Sequence, residues 1–316
     1  MKFRKIIALL LVLAVIFCAA GCAERQQADT PADDAVSFTD DLGRQINIGK
    51  KPARVAALIG SFADIWCLAG GHDTLVAAAN DSWTSFDLGL SDDVADLGAI
   101  KEPNFEVLLS AEPDLILASC NTAADLELMG RFEKLGITAA YFDVQSIDDY
   151  LRMLKICTEL TGCPENYDKY GQEVSDLVKA SVARNDGTHP TVLCIRATGA
   201  SCKVKGSTDN VLGEMLYDLG CINIADGDNL LLENLSIEAI IEADPDYIFA
   251  VLQGSDDTDA QRVLEQSLLS NPAWGNLTAV REGRFYVLEN SLYNLKPNSQ
   301  WGIAYEKLAD ILFTKE

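Results

Sequence analysis

Residues 104–118 read Asn104-Phe-Glu106-Val-Leu-Leu-Ser-Ala-Glu-Pro113-Asp114-Leu-Ile-Leu-Ala118. Residues 236–250 read Ser236-Ile-Glu238-Ala-Ile-Ile-Glu-Ala-Asp-Pro245-Asp246-Tyr-Ile-Phe-Ala250. Glu106, Pro113 and Asp114 return as Glu238, Pro245 and Asp246 at a constant offset of 132 residues. Each copy opens on a good N-cap residue, with a glutamate in the first turn where its charge suits the helix dipole. Pro-Asp then stops the helix, and a short apolar run follows that reads as a buried strand. The period is too long for a solenoid unit. Two similar α/β lobes are expected, each presenting one glutamate at an exposed helix start.

With 316 residues, 48% of them hydrophobic, the chain can bury a sizeable core in about two domains. Its first residues stand apart from that core. Lys2, Arg4 and Lys5 precede an unbroken apolar run from Ile6 to Phe17, and Ala19-Ala20-Gly21-Cys22 follows. Residues 1–21 therefore read as a secretory signal, too short to span a membrane as a mature helix. The small residues before Cys22 resemble a bacterial lipoprotein processing site, with Ala19 where that pattern usually has Leu. Cleavage there leaves Cys22 lipidated at the mature N-terminus. It also leaves 22 basic against 48 acidic residues, a net charge of −26. That charge argues against nucleic acid and against electrostatic docking on anionic lipid. Seven further cysteines (Cys67, Cys120, Cys157, Cys163, Cys194, Cys202 and Cys221) have neither paired nor zinc-type spacing and read as small core residues. Their abundance in an exported chain points to a low-oxygen habitat. A Cys157–Cys163 or Cys194–Cys202 bridge stays open.

Residues 22–35 are polar and read as a flexible tether. Residues 36–145 alternate strands and helices, beginning with a hairpin around Asp40-Asp-Leu-Gly43-Arg44, and form the N-terminal lobe. Residues 146–186 contain no convincing strand and read as a helical connector, interrupted once at Gly162-Cys163-Pro164. Its second half, residues 165–184, would be about 30 Å long at helical rise. Alternation resumes in residues 187–316, the C-terminal lobe. The fold class is α/β: two Rossmann-like lobes with mainly parallel sheets, joined by a long rigid helix, with a ligand cleft between them.

Taken in order, several landmarks resemble the helix-hinged substrate-binding proteins that serve ABC importers of iron siderophores, haem and cobalamin. They are Asp41-Leu-Gly-Arg44, Pro52-Ala-Arg-Val55, Glu102-Pro-Asn-Phe-Glu106, Glu112-Pro-Asp114, Leu160-Thr-Gly162, Leu219-Gly220-Cys-Ile-Asn223, Leu235-Ser-Ile-Glu238, Asn271-Pro-Ala-Trp274 and Gly283-Arg-Phe-Tyr286. The resemblance implies that Glu106 and Glu238, one per lobe, form salt bridges with arginines of a permease dimer. It further implies a monomeric receptor, lipid-anchored outside the cell membrane, whose partners are that permease and its ATPase. Dipole complementarity alone would account for a glutamate at these positions, but it would accept Asp or Glu at several places in the turn.

Ligands of such folds sit at the carboxyl ends of the strands. That rule nominates Trp83, Phe86, Lys101 and Asn121 in the first lobe, and Arg196, Lys203, Lys205, Glu233, Tyr293 and Lys296 in the second. Lys203 and Lys205 alternate around Val204, as solvent-facing strand residues also do, so both placements stay open. Aromatic and cationic groups together suit a bulky, partly anionic, conjugated ligand. A ferric siderophore would rely on Arg196 and the lysines, cobalamin on Trp83 and Phe86, and haem on Tyr293 as axial ligand. No resident cofactor or directly bound metal is expected, since His72 and His189 are the only histidines. A nucleophile elbow and a phosphate-binding glycine loop are missing, so no catalytic residue is nominated. A sensor or adhesion lipoprotein with the same fold, working without a transporter, is the alternative from another class.

Overall fold

The computed structural model describes residues 35–208, 210–227, 232, 235–254 and 257–314. The expected signal, Cys22, most of the tether and Glu233 lie outside them. The hairpin comes first, as β1 (Val36–Thr39) antiparallel to β2 (Gln45–Ile48), with Gly43 at φ +76° in its turn. Asp40 and Arg44 explain the turn sequence. Arg44 pairs with Asp40 at 2.6 Å and donates to the Ala139 carbonyl at 2.7 Å, while Asp41 accepts from the Asp143 N–H and pairs with Arg152. The hairpin is thereby clasped to the edge of the first lobe.

That lobe is built on β3 (Val55–Ala57), β4 (Leu75–Ala78), β5 (Ala95–Asp96), β6 (Leu115–Ser119) and β7 (Ala139–Phe142), all parallel in the order β5-β4-β3-β6-β7. Its helices include α1 (Gly60–Trp66), α2 (Phe105–Ser110) and α3 (Ala123–Leu135), the last closed by Gly136 at φ +69°. The stretch holding Trp83 forms a short helical turn, Asp81–Thr84.

Two helical runs follow. The first is α4 (Ile147–Thr161), started by a Ser146–Asp149 capping box and ended by Gly162 at φ +68°. The second runs from Glu165 through a wide π-type turn, Asp168–Gln172, into α5 (Glu173–Val182). The two belong to different neighbours: α4 packs on α1 and the turn after it, and α5 packs on the last helix. In the second lobe, β8 (Thr191–Thr198), β9 (Cys202–Lys205), β10 (Ile222–Asn223), β11 (Tyr247–Gln253) and β12 (Phe285–Leu288) form one sheet in the order β10-β8-β11-β12. All pairs are parallel except β8–β9, which is antiparallel, so β10 and β9 share the free edge of β8. Helices α6 (Val211–Asp218), α7 (Ile237–Ala243) and α8 (Trp301–Phe313) complete the lobe.

The repeat is real at atomic detail. Asn104 caps α2 by accepting from the Glu106 and Val107 N–H groups, and Ser236 caps α7 by accepting from Ala239. Glu112 and Asp244, each just before the proline, sit at φ +46° and +37°, turning the chain out of the helix. Asp114 accepts from the Ala53 and Arg54 N–H groups at the entry to β3, and Asp246 accepts from Thr191 at the entry to β8. Each Pro-Asp thus pins the neighbouring strand, a reason for the Asp that periodicity alone does not provide.

One apolar cluster runs unbroken from Phe62, Trp66, Phe142 and Tyr150 through Val174 and Val178 to Val211, Leu216, Trp301 and Tyr305. The outer face of each sheet has its own smaller cluster. Trp66 and Trp301 lie inside helices of this core, and both are essentially inaccessible. The seven cysteines are free thiols, so neither candidate bridge forms. No helix among the described residues is long and apolar enough to cross a membrane.

Candidate functional site

A cavity of about 210 Å³ opens at the carboxyl ends of β8 and β11. Its wall comes from Ile195 and Arg196 on β8, Lys205 on β9, Val251 on β11, the first residues of α6, and the loop carrying Tyr293, Asn294 and Lys296. The first lobe contributes Gln145. Asn210 both lines the cavity and caps α6, accepting from the Gly213 N–H at 2.9 Å. The positive end of that helix dipole therefore lies at the wall.

Pairing decides where the cations go. Along β8, Cys194 belongs to the shared inner core and Ile195 to the outer cluster, so Arg196 is on the inner, cleft-facing side. On β9, Val204 is packed in the outer cluster, which puts Lys203 and Lys205 on the inner side. The register sets Lys203 directly opposite Arg196 and Lys205 opposite Cys194. Arg196, Lys203 and Lys205 thus share one face and also line an adjoining recess of about 590 Å³. Among the described residues, neither Arg196 nor Lys203 has a carboxylate at ion-pair distance. Like charges directly opposite across a ladder destabilise it. An anion bound over them removes that cost.

Lys296 lines the same cavity from the loop after Tyr293. Burial lowers its pKa, and Asp143 and Asp81 work against that. Asp81 accepts the Gly60 N–H at 2.9 Å, and Asp143 accepts from Asn121 at 2.6 Å. Gly60 allows this contact, because a Cβ there would lie 2.7 Å from the Ser82 nitrogen.

The other nominated residues are placed differently. Tyr293 lines the cavity, but it is only 3% exposed and its hydroxyl donates to the Ala304 carbonyl at 3.1 Å. Trp83 is half-buried against the core, and Phe86 is half-buried beyond the same turn. Neither borders the cavity, nor does exposed Lys101. Asn121 does not line the cavity; it donates to Asp143, which is within electrostatic reach of Lys296. Sequence reasoning missed Asn210, Asn294 and Val251; Asn210 had a signal, as an Asn opening an apolar helical run. Glu106 and Glu238 are exposed at their helix starts and carry no ion pair among the described residues. Glu238 accepts from the Ser236 hydroxyl at 3.2 Å, and Glu106 borders a recess with Arg54 and Ser110.

Two α/β lobes with mainly parallel sheets and a cation-lined cavity at the strand ends suit the binding of a small solute. The chain belongs to the periplasmic binding protein family, whose model matches residues 55–292. The Fe(3+)-citrate-binding protein YfmC of Bacillus subtilis (strain 168) is 26% identical over 295 residues, covering 90% of this chain and 89% of that one. The high-affinity heme uptake system protein IsdE of Staphylococcus aureus (strain MRSA252) is 24% identical over 228 residues, covering 70% and 75%. Among solved structures, the periplasmic heme-binding protein RhuT from Roseiflexus sp. RS-1 in apo form superposes with a TM-score of 0.66 at 20% identity. That match covers 82% of this chain and 97% of the other.

Proposed function

We propose that this chain is an extracytoplasmic receptor, tethered to the membrane through a lipid on Cys22, that captures an anionic ferric siderophore or related chelate and delivers it to an ABC importer permease. The observation that carries the ligand class is the like-charged cross-strand pair Arg196–Lys203, with Lys205 and Lys296 around the same opening. Guanidinium and ammonium groups suit the carboxylate or phenolate oxygens of a ferric chelate. The similarity to an Fe(3+)-citrate-binding protein supports the same class.

Haem is the second reading, favoured by the similarity to a haem uptake protein. Haem iron takes an axial His, Met, Tyr or Cys. Among the described residues the cavity wall has neither His nor Met, the Tyr293 hydroxyl is committed to Ala304, and Cys194 is 1% exposed. Cobalamin would lean on Trp83 and Phe86, which stand outside the wall. A ferric chelate therefore fits best. The exposure of Glu106 and Glu238, neither with an ion pair among the described residues, supports a docking role towards the permease, and nothing comparable supports a sensor or adhesion module.

The visible spectrum of protein purified from its native host tests the ligand: a ferric charge-transfer band is expected, and a Soret or corrin band overturns the assignment. Lys203→Gln is expected to weaken ferric citrate binding about tenfold while raising unliganded stability by a few tenths of a kcal/mol, because the like-charge pair is relieved. Unchanged affinity would remove these cations from the ligand site. Charge reversal of Glu106 and Glu238 together should abolish uptake with affinity intact. Lost affinity instead would place them at the ligand.

A further inference from the structure

The loop from Tyr293 to α8 is a strap between the two lobes. At its far end Asn298 is wholly buried at φ +51°, a left-handed backbone that Asn tolerates better than most residues. Its amide nitrogen donates to the Ser61 carbonyl at 2.9 Å and to Asp64 Oδ2 at 2.8 Å, both on α1 of the first lobe. A carbonyl and a carboxylate are pure acceptors, so they fix which end of the amide faces α1. The Asn298 Oδ1 atom is left without a partner among the described residues. A buried acceptor left unmatched costs free energy, so packing alone does not account for an amide here. Lys296 lies two residues upstream, on the cavity wall.

We propose that Asn298 is a positioning residue for the ligand cavity: by donating both amide hydrogens to Ser61 and Asp64 it clips the strap to the first lobe and holds Lys296 in the wall. Lys296 thereby lines the same cavity as Arg196 and Lys205, with Asp81 and Asp143 of the first lobe within electrostatic reach. Pro297, buried and with its φ fixed at −74°, makes the two-residue link stiff. The clip thus converts an interlobe contact into a defined position for one ligand-facing charge. The proposal rests on the cavity being the ligand site only for its consequence on affinity; the position of Lys296 can be measured without ligand.

The test is lysine acetylation of the ligand-free protein, followed residue by residue with mass spectrometry. Asn298→Gly removes the amide and keeps the left-handed backbone available. Lys296 should then acetylate about tenfold faster, with exposed Lys155 and Lys203 unchanged as internal controls. Asn298→Asp, which keeps the shape but sets a carboxylate against Asp64, should do the same, and it serves if the glycine variant does not fold. Unchanged Lys296 acetylation in a folded variant overturns the clip, and so does an equal rise at all three lysines, which would mean general loosening. In a second arm, ferric citrate is titrated by tryptophan quenching. Asn298→Gly should weaken binding about tenfold, and should weaken it no further in a Lys296→Gln background. If ferric citrate fails to bind the parent protein while Lys296 acetylation rises, the ligand assignment falls and the clip stands. If it binds and Lys296 acetylation does not change, the clip falls alone.

Discussion

At the scale of single residues, Asp125 shows how burial and chemistry separate. Its carboxyl is inaccessible; one oxygen accepts the Ser119 N–H at 2.8 Å and the other has no partner among the described residues. Burial pushes its pKa up to about 7, with the Ser119 bond opposing. The folded state therefore holds a proton that the unfolded chain releases above about pH 4. Stability from this group is full below about pH 4 and is lost as the pH rises through about 7. Asp125→Asn keeps the acceptor for Ser119 and removes the charge. It should raise unfolding free energy by about 1–3 kcal/mol at pH 8 and by much less at pH 5, measured by urea denaturation at both values. An equal effect at both would mean the folded carboxyl is already ionised at pH 5, and so is not held protonated by burial. The cysteines follow the same logic. Burial pushes Cys67, Cys120 and Cys221 up to about 12 and Cys157 and Cys194 higher still. These five should react with a disulfide reagent only on unfolding, because the thiolate is the reactive form.

At the scale of elements, the crossing of α5 and α8 is set by one glycine. A Cβ at Gly302 would lie 2.7 Å from the Leu177 Cβ, so the helices approach as closely as backbone allows. Gly302→Ala should cost about 1–3 kcal/mol by overpacking. Leu177→Gly, which removes that Cβ, should alone cost about 1 kcal/mol in helix propensity, and it should recover most of the loss in the double variant. Additive losses would place the strain elsewhere. The helix caps, the Pro-Asp stops and the left-handed Gly162 of the connector were legible in sequence, since each acts within a few residues of itself. The cation face was only half legible. Arg196, Lys203 and Lys205 could be nominated, but the side on which the lysines emerge depends on antiparallel pairing of β9 with β8. A shift of one residue would have turned them away, and no local signal sets that register.

At the scale of the whole molecule, the inner cluster joins both lobes through α4, α5 and α8. Lobes with separate cores would unfold separately; a shared core makes them one cooperative unit. A single calorimetric transition is expected for the ligand-free protein, with calorimetric and van't Hoff enthalpies equal, and two resolved transitions would contradict the shared core. The sequence by itself determined the α/β class, the duplicated lobes, the helical run between them and the two exposed glutamates. Those features are written in periodicity, capping and charge over short stretches of chain. Tertiary structure alone decided that Tyr293 spends its hydroxyl on Ala304, that Trp83 and Phe86 stand away from the cavity, and that Asn298 meets Ser61 across 237 positions of sequence. Contacts of that span depend on how two sheets and a helical connector come together, and a short sequence window does not contain them.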